Sequence, residues 1–372
     1  MSKGLIKFCK DLINIPTYER EGQKEMSNFL SAEFQRIGFD VMIDKFYNTY
    51  ATKRFGGQGS LLINAHLDTV PPSGLWTRNP LVPKIQDGRL YGLGAADDKG
   101  AIASIYDAVR NLEHSRFKNV EILLSNHEEM ATEVGQEMFN GTTLFLMHHR
   151  KKVKSKIGIN MEPTFLHCKP RIAIGHTGGI SFDLSIYGKQ CHSSLPSKGI
   201  NAISQACEVI RILEEHNKEE TGNGHSGALN VGVIQGGTYR NVVPGTCQLQ
   251  CLRRILPTED ITAVESNINN LMQNSDFKYK LKVRKRAYSY SLEEDTVIVR
   301  LLKSSVAAIT GKEAPVILYN ARTDAFLLNK HADVKTVIFG PGDLDQAHSP
   351  DEYVCIEDLE ITSKILKNCL KR

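Results

Sequence analysis

The chain has 372 residues, of which 41% are hydrophobic, 24% charged and 7% aromatic, and its formal net charge is +4. This composition excludes an intrinsically disordered chain, and the length is sufficient for about two domains with a sizeable core. The small net charge, without a dominant basic block, does not predict nucleic-acid binding.

The sequence shows features of a cytoplasmic protein with no membrane partner. Its apolar runs are far shorter than the roughly 18 residues of a membrane span. The N-terminal segment mixes charges into a helical pattern and lacks the apolar region of a secretory signal. Eight cysteines are scattered along the chain, a distribution that argues against a disulfide-stabilised scaffold.

From residue 1 to about 174, short β-rich apolar runs alternate with helical patterns, which predicts a sheet with helices on its faces. The clearest strands are 61–64, 120–125 and 157–161. Residues 99–114 place apolar side chains at helical spacing and predict a helix with a buried face. The same alternation returns after residue 289, with a helix at 297–309 and strands at 316–318 and 334–340.

Residues 175–288 follow a different pattern. The segments predict, in order, a strand at 180–188, a helix at 201–216, strands near 228–234 and 246–253, a helix at 260–274 and a strand around 279–283. A βαββαβ unit of this size can form its own two-layer domain. We therefore predict a discontinuous α/β domain, residues 1–174 and 289–372, with a mostly parallel sheet flanked by helices, and an inserted α+β domain at 175–288.

Four predicted strands are each followed at once by histidine or carboxylate residues, in the segments LLINAHLD, ILLSNHEE, IGINMEP and VIFGPGDLDQAH. Ligands of open α/β sheets bind beyond the carboxyl ends of the strands. Six side chains are therefore expected to converge on one crevice: His66, Asp68, Glu128, Glu129, Glu162 and His348. A single histidine after a strand, or a single pair of glutamates, would more often be solvated. The prediction of a shared crevice therefore rests on the repetition at four strand ends.

The segment GLGAADDKG at 92–100 superficially resembles a glycine-rich dinucleotide motif. Asp97 stands where the third glycine would be, and no strong strand leads into the segment, so we reject that interpretation. Two carboxylates at the start of a helix instead offer Asp97 as a metal ligand, whose charge the helix N-terminus favours. When this segment is considered alone, the alternative to a metal ligand is that Asp97 or Asp98 only caps the helix.

Histidine and carboxylate ligands without thiolates are typical of a catalytic site for Zn²⁺, Co²⁺ or Mn²⁺, with Zn²⁺ the first choice. Charge arithmetic favours two divalent ions, balanced by one bridging hydroxide and three carboxylates. These carboxylates are Asp97, Glu129 and Glu162. With His66 and His348 neutral, Glu128 is free to act as general base for a metal-activated water. Asp68 is free to accept the second N–H of His66 and fix its tautomer.

Together these motifs resemble the M20 family of metallopeptidases and deacylases, the group with acetylornithine deacetylase, succinyl-diaminopimelate desuccinylase, glutamate carboxypeptidase and aminoacylase. The resemblance covers essentially the whole chain. Its motifs are HLDTV (66–70) with the downstream WTRNP, GLGAADDKG (92–100), the pair EE (128–129), MEPT (161–164), GKQCHSSLPSKGINAI (188–203), NVVP (241–244) and GPGDLDQAHSPDE (340–352).

The resemblance implies two metal ions that share Asp97. One ion would be held by His66, Asp97 and Glu162, and the other by Asp97, Glu129 and His348, with Glu128 as the base. It further implies that the inserted domain is a lid and dimerisation domain.

Within the inserted domain, the resemblance implies that His192 stabilises the developing oxyanion, with the dimer partner as one source of this residue. Without the resemblance, His192 would be interpreted as a surface histidine. Asn241 and Arg254 match the family's substrate-binding positions, although a one-residue slip would select Arg253.

Two residues depart from the family pattern. His127 stands before the glutamate pair where the family usually has aspartate, and Arg322 stands where relatives generally carry a small residue. Because Arg322 follows a strand, we expect it near the same crevice, where it would bind a substrate carboxylate. The alternatives are an outward-facing arginine or an ion pair with Asp324 or Asp343.

The sequence thus predicts a di-metal hydrolase that cleaves an amide bond, in the first place an N-acyl amino acid as in the deacetylase and desuccinylase branch. The expected partners are a small N-acyl amino acid or short peptide and a second copy of the chain. One alternative is a carboxypeptidase or dipeptidase with the same core. The other is a catalytically silent metal-binding interaction protein.

Overall fold

The structure, a computed structural model, describes residues 3–129, 132–134, 137–221, 228–273 and 275–371. The chain divides into two compact units. The first contains residues 1–175, 291–319 and 323–372, and the second contains 176–290 and 320–322. Among the helices in the described ranges, none combines the length and the apolarity needed to cross a membrane.

The first part of the chain forms α1 (Lys3–Ile13), α2 (Arg20–Arg36), β1 (Asp40–Ile43), β2 (Thr49–Arg54), β3 (Ser60–His66), β4 (Lys84–Gln86), β5 (Arg89–Tyr91), α3 (Lys99–Val109), β6 (Asn119–Ser125), β7 (Thr132–Val134), β8 (Glu137–Phe139), α4 (Gly141–His149), β9 (Ile157–Pro163) and β10 (Ile172–His176). The middle part forms β11 (Gly178–Tyr187), β12 (Cys191–His192), α5 (Ala202–Thr221), β13 (Leu229–Gly236), β14 (Val242–Val243), β15 (Thr246–Ile255), α6 (Ile261–Gln273), β16 (Lys278–Ala287) and β17 (Tyr290–Ser291). The last part forms α7 (Val297–Thr310), β18 (Val316–Tyr319), α8 (Asp324–Ala332), β19 (Lys335–Gly340), β20 (Tyr353–Cys355) and α9 (Ile356–Lys371).

The first unit is built on a sheet in the order β1-β2-β6-β3-β9-β19-β10, and β18 also pairs with β10. The four central strands β6, β3, β9 and β19 are parallel to one another. The strands β2 and β10 add antiparallel neighbours on either side. The predicted α/β class with a parallel central sheet is therefore confirmed.

Helix α3 shows why this sequence packs helices against the sheet. Every residue of α3 is buried, as expected of a helix that is apolar nearly all round, and α3 packs against α1 and α9. The prediction that this helix continues to residue 114 is wrong, because it ends at Val109. Leu112, whose spacing suggested a longer helix, is buried from a turn in which its N–H bonds the Val109 carbonyl at 3.0 Å.

The second unit has a four-stranded antiparallel sheet in the order β13-β15-β11-β16. Alternate residues of β11 are buried and join apolar side chains of α5 and α6 in one core, so one face of the sheet is covered by helices. The helix predicted at 260–274 is observed as α6, and residue 274 lies outside the described residues. A short ladder pairs His192 of β12 with Val242 of β14.

Candidate metal centre

The parallel strands bring the predicted ligands to one edge of the sheet. His66 ends β3 opposite Ser125, which ends β6, and β19 reaches Gly340 beside Pro163 of β9. The donor atoms form two groups, each with all its atoms within 4.8 Å of one another. The first group is His66, Asp97 and Glu162, and the second is Asp97, Glu129 and His348. All five predicted ligands are thus brought together, and Asp97 belongs to both groups.

The orientation of the His66 ring suits a metal ligand. Its Nδ1 lies 2.9 Å from the backbone carbonyl oxygen of Asp68, and because a carbonyl only accepts, Nδ1 carries a hydrogen. In the neutral ring, Nε2 then presents a lone pair, and this atom lies 2.7 Å from Asp97 Oδ1. A lone pair facing a carboxylate oxygen at that distance requires a proton or a cation between them.

The side chain of Asp68 does a different job from the one predicted. Its Oδ1 lies 3.7 Å from His66 Nδ1, which is beyond hydrogen-bond distance. The backbone carbonyl of the same residue orients the ring instead. The two carboxylate oxygens accept the backbone N–H groups of Glu128 and Glu129, each at 3.1 Å. Asp68 therefore positions the glutamate pair.

The carboxylates of this edge repel one another. Burial, and then the charge of Asp97, raise the pKa values of Glu162 and Glu129. Burial also raises the pKa of Glu128 well above its usual range, and Glu129 and Asp68 add to the effect. His348 Nε2 lies 2.6 Å from Glu129 Oε1, and this hydrogen bond raises the pKa of His348 to about 9. Carboxylates packed this closely need compensating positive charge.

The donor set fits two divalent cations. Two histidines and three carboxylates in two adjoining groups have the hard and intermediate ligands that Zn²⁺, Co²⁺ and Mn²⁺ accept. Cations would replace the protons that these buried carboxylates otherwise need. The side chain of Glu128 is in neither group, as a separate base requires.

The loop that carries Asp97 is held by a residue that sequence reasoning missed. The buried carboxylate of Glu352 accepts the backbone N–H groups of Gly94 and Ala96 at 2.8 Å and that of Asp97 at 3.1 Å. The peptide bond between Asp97 and Asp98 is cis. Glu352 follows His348 by four residues in the quoted motif, so its sequence position marked it, but its partners could not be read from spacing.

Only glycine fits at position 340, where the end of β19 lies against the end of β9. A Cβ atom on Gly340 would lie 2.7 Å from the carbonyl oxygen of Glu162. Any larger residue would displace the backbone that carries this predicted ligand. The strand contact therefore sets the position of Glu162.

Two further buried residues line the same edge. Tyr319, at the end of β18, is buried, and burial together with the charge of Glu162 raises its pKa well above the usual value. The Asp324 carboxylate, at the start of α8, accepts hydrogen bonds from Ser125, Asn140 and Thr142. Neither residue was predicted, because single tyrosines and aspartates at element ends carry no distinctive signal.

The roles of His127 and Arg322, the two residues that depart from the family pattern, stay predictions. His127 adopts a left-handed backbone conformation, with φ of 61°. Its buried Nδ1 atom has no hydrogen-bond partner among the described residues. Arg322 groups with the second unit, where burial, and then the charge of Arg322, lower the pKa of His176. Its predicted contact with a substrate stays a prediction.

In the second unit, the predicted residues lie on β12, β15 and the loop before β14. His192 is exposed, and its Nδ1 accepts the backbone N–H of Ser194 at 3.2 Å. The carbonyl of Asn241 accepts the N–H of Ser193 at 3.0 Å, so these two loop segments are joined. Arg254 is exposed, whereas Arg253 is 2% exposed and its Nη2 lies 2.6 Å from Glu259 Oε1. The internal ion pair of Arg253 leaves Arg254 as the arginine available to a ligand.

The comparisons with known proteins agree on one family. Residues 62–372 match the sequence profile described as peptidase family M20/M25/M40. Acetylornithine deacetylase of Photorhabdus laumondii is 29% identical over 390 residues, covering 98% of this chain and 96% of its own. Acetylornithine deacetylase of Vibrio vulnificus is 28% identical over 388 residues, covering 100% and 97%.

Solved structures share the fold. Aminopeptidase PepT from Bacillus cereus matches with a TM-score of 0.78 at 20% identity, covering 99% of this chain and 97% of its own. The M20 family metallo-carboxypeptidase Sso-CP2 from Sulfolobus solfataricus matches with a TM-score of 0.74 at 18% identity, covering 99% and 98%.

Proposed function

The chain belongs to peptidase family M20/M25/M40 and is a metal-dependent hydrolase, and from that premise we propose that it hydrolyses the amide bond of an N-acyl amino acid. The observation that carries the proposal is the pair of ligand groups joined through Asp97, with Glu128 outside both groups. The similarity to acetylornithine deacetylases over nearly the whole chain supports the choice of substrate class.

The proposed cofactor is a pair of divalent ions, with Zn²⁺ as the first choice. His66, Asp97 and Glu162 would hold one ion, and Asp97, Glu129 and His348 the other. When bound, such ions lower the pKa of water and polarise the substrate carbonyl. Asp97 contributes to both groups because its two carboxylate oxygens face different histidines: Oδ1 lies 2.7 Å from His66 Nε2 and Oδ2 lies 3.7 Å from His348 Nε2.

Glu128 is proposed as the general base and later the general acid. Its carboxylate would take a proton from the attacking water and deliver it to the leaving amine. The raised pKa of Glu128, caused first by burial, suits a group that must both accept and return a proton. The two N–H bonds to Asp68 hold the backbone from which this side chain projects.

His192 is proposed to stabilise the oxyanion of the tetrahedral intermediate. The Ser194 N–H and Oγ both contact Nδ1, at 3.2 Å and 2.8 Å. When Nδ1 accepts from both groups, a neutral ring carries its hydrogen on Nε2. That N–H is the donor an oxyanion needs. Asn241 and Arg254 are proposed to bind the substrate, Arg254 through the carboxylate of the amino acid. Arg322 is proposed to bind a substrate carboxylate in the same way.

The chain is proposed to act as a homodimer through its second unit. The edge strand β13 exposes Val233 and Ile234, at 36% and 48%. An exposed apolar edge strand is a template for pairing with another copy. Sedimentation analysis of the chain and of a Val233→Lys variant would test this proposal.

A substrate panel tests the proposed reaction. The purified chain, supplied with Zn²⁺, Co²⁺ or Mn²⁺, is given N-acetyl amino acids, N-succinyl amino acids and dipeptides, and the released amine is quantified. Release of amino acid from the N-acyl substrates at a kcat/KM well above that for dipeptides is expected. Preferred cleavage of dipeptides would replace the proposal with a dipeptidase or carboxypeptidase. Absence of turnover in the whole panel would refute amide hydrolysis on these substrates.

A further inference from the structure

A second cluster of metal-binding side chains lies in the first unit, apart from the ligand groups described above. Cys168, Cys355 and Asp358 bring two thiol sulfurs and a carboxylate oxygen within 4.8 Å of one another. The two Sγ atoms lie 2.7 Å apart, although the residues are 187 positions apart in the chain. None of the three belongs to the candidate catalytic groups.

Three different elements build this cluster. Cys168 lies at the corner of a tight turn closed by reciprocal hydrogen bonds, both 3.0 Å, between Leu166 and Lys169. Cys355 ends β20 and Asp358 lies in the first turn of α9. The fold therefore presents the three side chains from a turn, a strand end and a helix start.

Asp358 is the observation that points to a cation. Its side chain is 2% exposed. The carboxylate receives hydrogen bonds from the Gly342 N–H and the Cys168 thiol, yet its Oδ1 atom has no partner among the described residues. A buried carboxylate oxygen without a partner is costly. A cation held by this carboxylate together with the two sulfurs would offset that cost.

The surroundings leave room for an ion and its ligands. A pocket of about 240 Å³ is lined by all three residues and also by His167, Arg89 and Asp343. Arg89 pairs with Cys355 across the β5–β20 ladder, and its charge offsets part of the negative charge that two thiolates and a carboxylate would bring. Asp343 already accepts the Asp345 N–H as the cap of a short helix.

We propose that Cys168, Cys355 and Asp358 bind one Zn²⁺ ion, distinct from the ions of the candidate catalytic centre. Two thiolates with one further donor from Asp358 make up three of the four ligands of a tetrahedral zinc site, and a water molecule in the pocket would complete it. With Zn–S distances of about 2.3 Å, the sulfurs stand roughly 3.7 Å apart, so binding requires the Sγ atoms to separate by about 1 Å.

A zinc ion explains the cluster better than a disulfide does. A Cys168–Cys355 disulfide would leave the Asp358 Oδ1 atom without a partner. Burial, followed by the hydrogen bond with Cys168, also raises the pKa of the Cys355 thiol, which disfavours the thiolate that disulfide formation needs. A bound zinc ion deprotonates its thiols itself.

The test counts zinc ions in the full-length chain. Reduced protein is dialysed at a fixed free Zn²⁺ concentration, and zinc per chain is measured by elemental analysis. The double variant Cys168→Ser/Cys355→Ser is expected to hold one ion fewer than the parent chain. Cys207→Ser, which changes an exposed cysteine of the second unit, is the matched control and should hold as many ions as the parent. The readout is a difference, so it does not depend on the occupancy of the catalytic centre.

Cobalt gives a second readout that only thiolate ligands produce. After exchange with Co²⁺, the parent chain and Cys207→Ser should show thiolate-to-cobalt absorption in the near ultraviolet, and the double variant should lack it. Asp358→Asn should weaken zinc binding at this site by at least about 10-fold while retaining the fold. Equal zinc content in the parent and the double variant, or no thiolate absorption in the parent, would overturn the proposal. A Cys168–Cys355 disulfide found by mass spectrometry in zinc-saturated parent chain would also overturn it.

Discussion

Replacing Asp68 with asparagine is expected to slow the reaction without removing metal. The two carboxylate oxygens of Asp68 each accept one backbone N–H, from Glu128 and Glu129, at 3.1 Å. An asparagine amide keeps one acceptor oxygen and places an NH₂ donor against the other N–H. One of the two bonds is therefore lost and replaced by a contact between two donors.

The magnitude follows from that lost bond. A hydrogen bond to a charged group contributes about 1.5–3 kcal/mol. Each 1.36 kcal/mol of barrier corresponds to about tenfold in rate. If the whole cost falls on the position of Glu128 in the transition state, kcat should drop by about 10- to 100-fold. KM should change little, because Asp68 is not among the residues proposed to bind substrate.

The matched control is Glu121→Gln. Glu121 is also a buried carboxylate that accepts two backbone N–H groups, those of Lys154 and Ser155, but it lies on β6 away from the ligand edge. Both variants should lower the free energy of unfolding by a similar amount, and only Asp68→Asn should lower kcat. Steady-state kinetics with the best substrate of the panel, together with metal analysis, measures both effects. Full activity in Asp68→Asn, or an equal loss in Glu121→Gln, would refute the reasoning.

Four further outcomes are expected. Exhaustive removal of metal should abolish turnover, and re-addition should restore it; full activity in protein shown to be metal-free would contradict the metal-dependent reaction. Glu128→Gln should retain metal and lose about 10²- to 10⁴-fold in rate, whereas Glu129→Gln should also weaken one metal site, and equal metal loss in both would reverse the assignment. Arg322→Ala should raise KM for carboxylate-bearing substrates far more than for their amides, and a uniform loss would make Arg322 structural. Mixing inactive His192→Ala and Glu128→Gln subunits should restore part of the activity if His192 acts across the dimer, whereas verified heterodimers without activity would place it in cis.

The clustering of the proposed metal ligands could be predicted because its signal is local. Each of His66, Glu129 and Glu162 lies at or just after the end of a β-rich run, and parallel strands end at the same edge of a sheet. Asp97 was recognised from its position at the start of α3. The family, the α/β class and the hydrolase activity were also predicted from these motifs and are confirmed. The metal identity, the dimer and the cytoplasmic location stay predictions.

Features that depend on distant partners could not be predicted. Glu352 holds backbone groups as far as 258 positions away, and no periodicity reports such a contact. Cys168 and Cys355 looked like two of several scattered cysteines until the fold brought them together. The His66 Nδ1 atom lies 2.9 Å from the Asp68 carbonyl oxygen and 3.7 Å from the Asp68 carboxylate, and residue type alone cannot predict which of the two lies closer.

The position of β19 has a consequence for how this protein is made on the ribosome. β19 pairs between β9 and β10, yet it is translated only after the whole of the second unit. Nascent β9 and β10 must therefore leave a gap open, because pairing with each other would exclude the later strand. The proposed ligand His348 and the supporting Glu352 emerge later still. A chain truncated before these residues lacks His348 of the second group and the support of Asp97, which belongs to both groups. Assembly of the complete set of proposed ligands must therefore wait until translation is nearly finished.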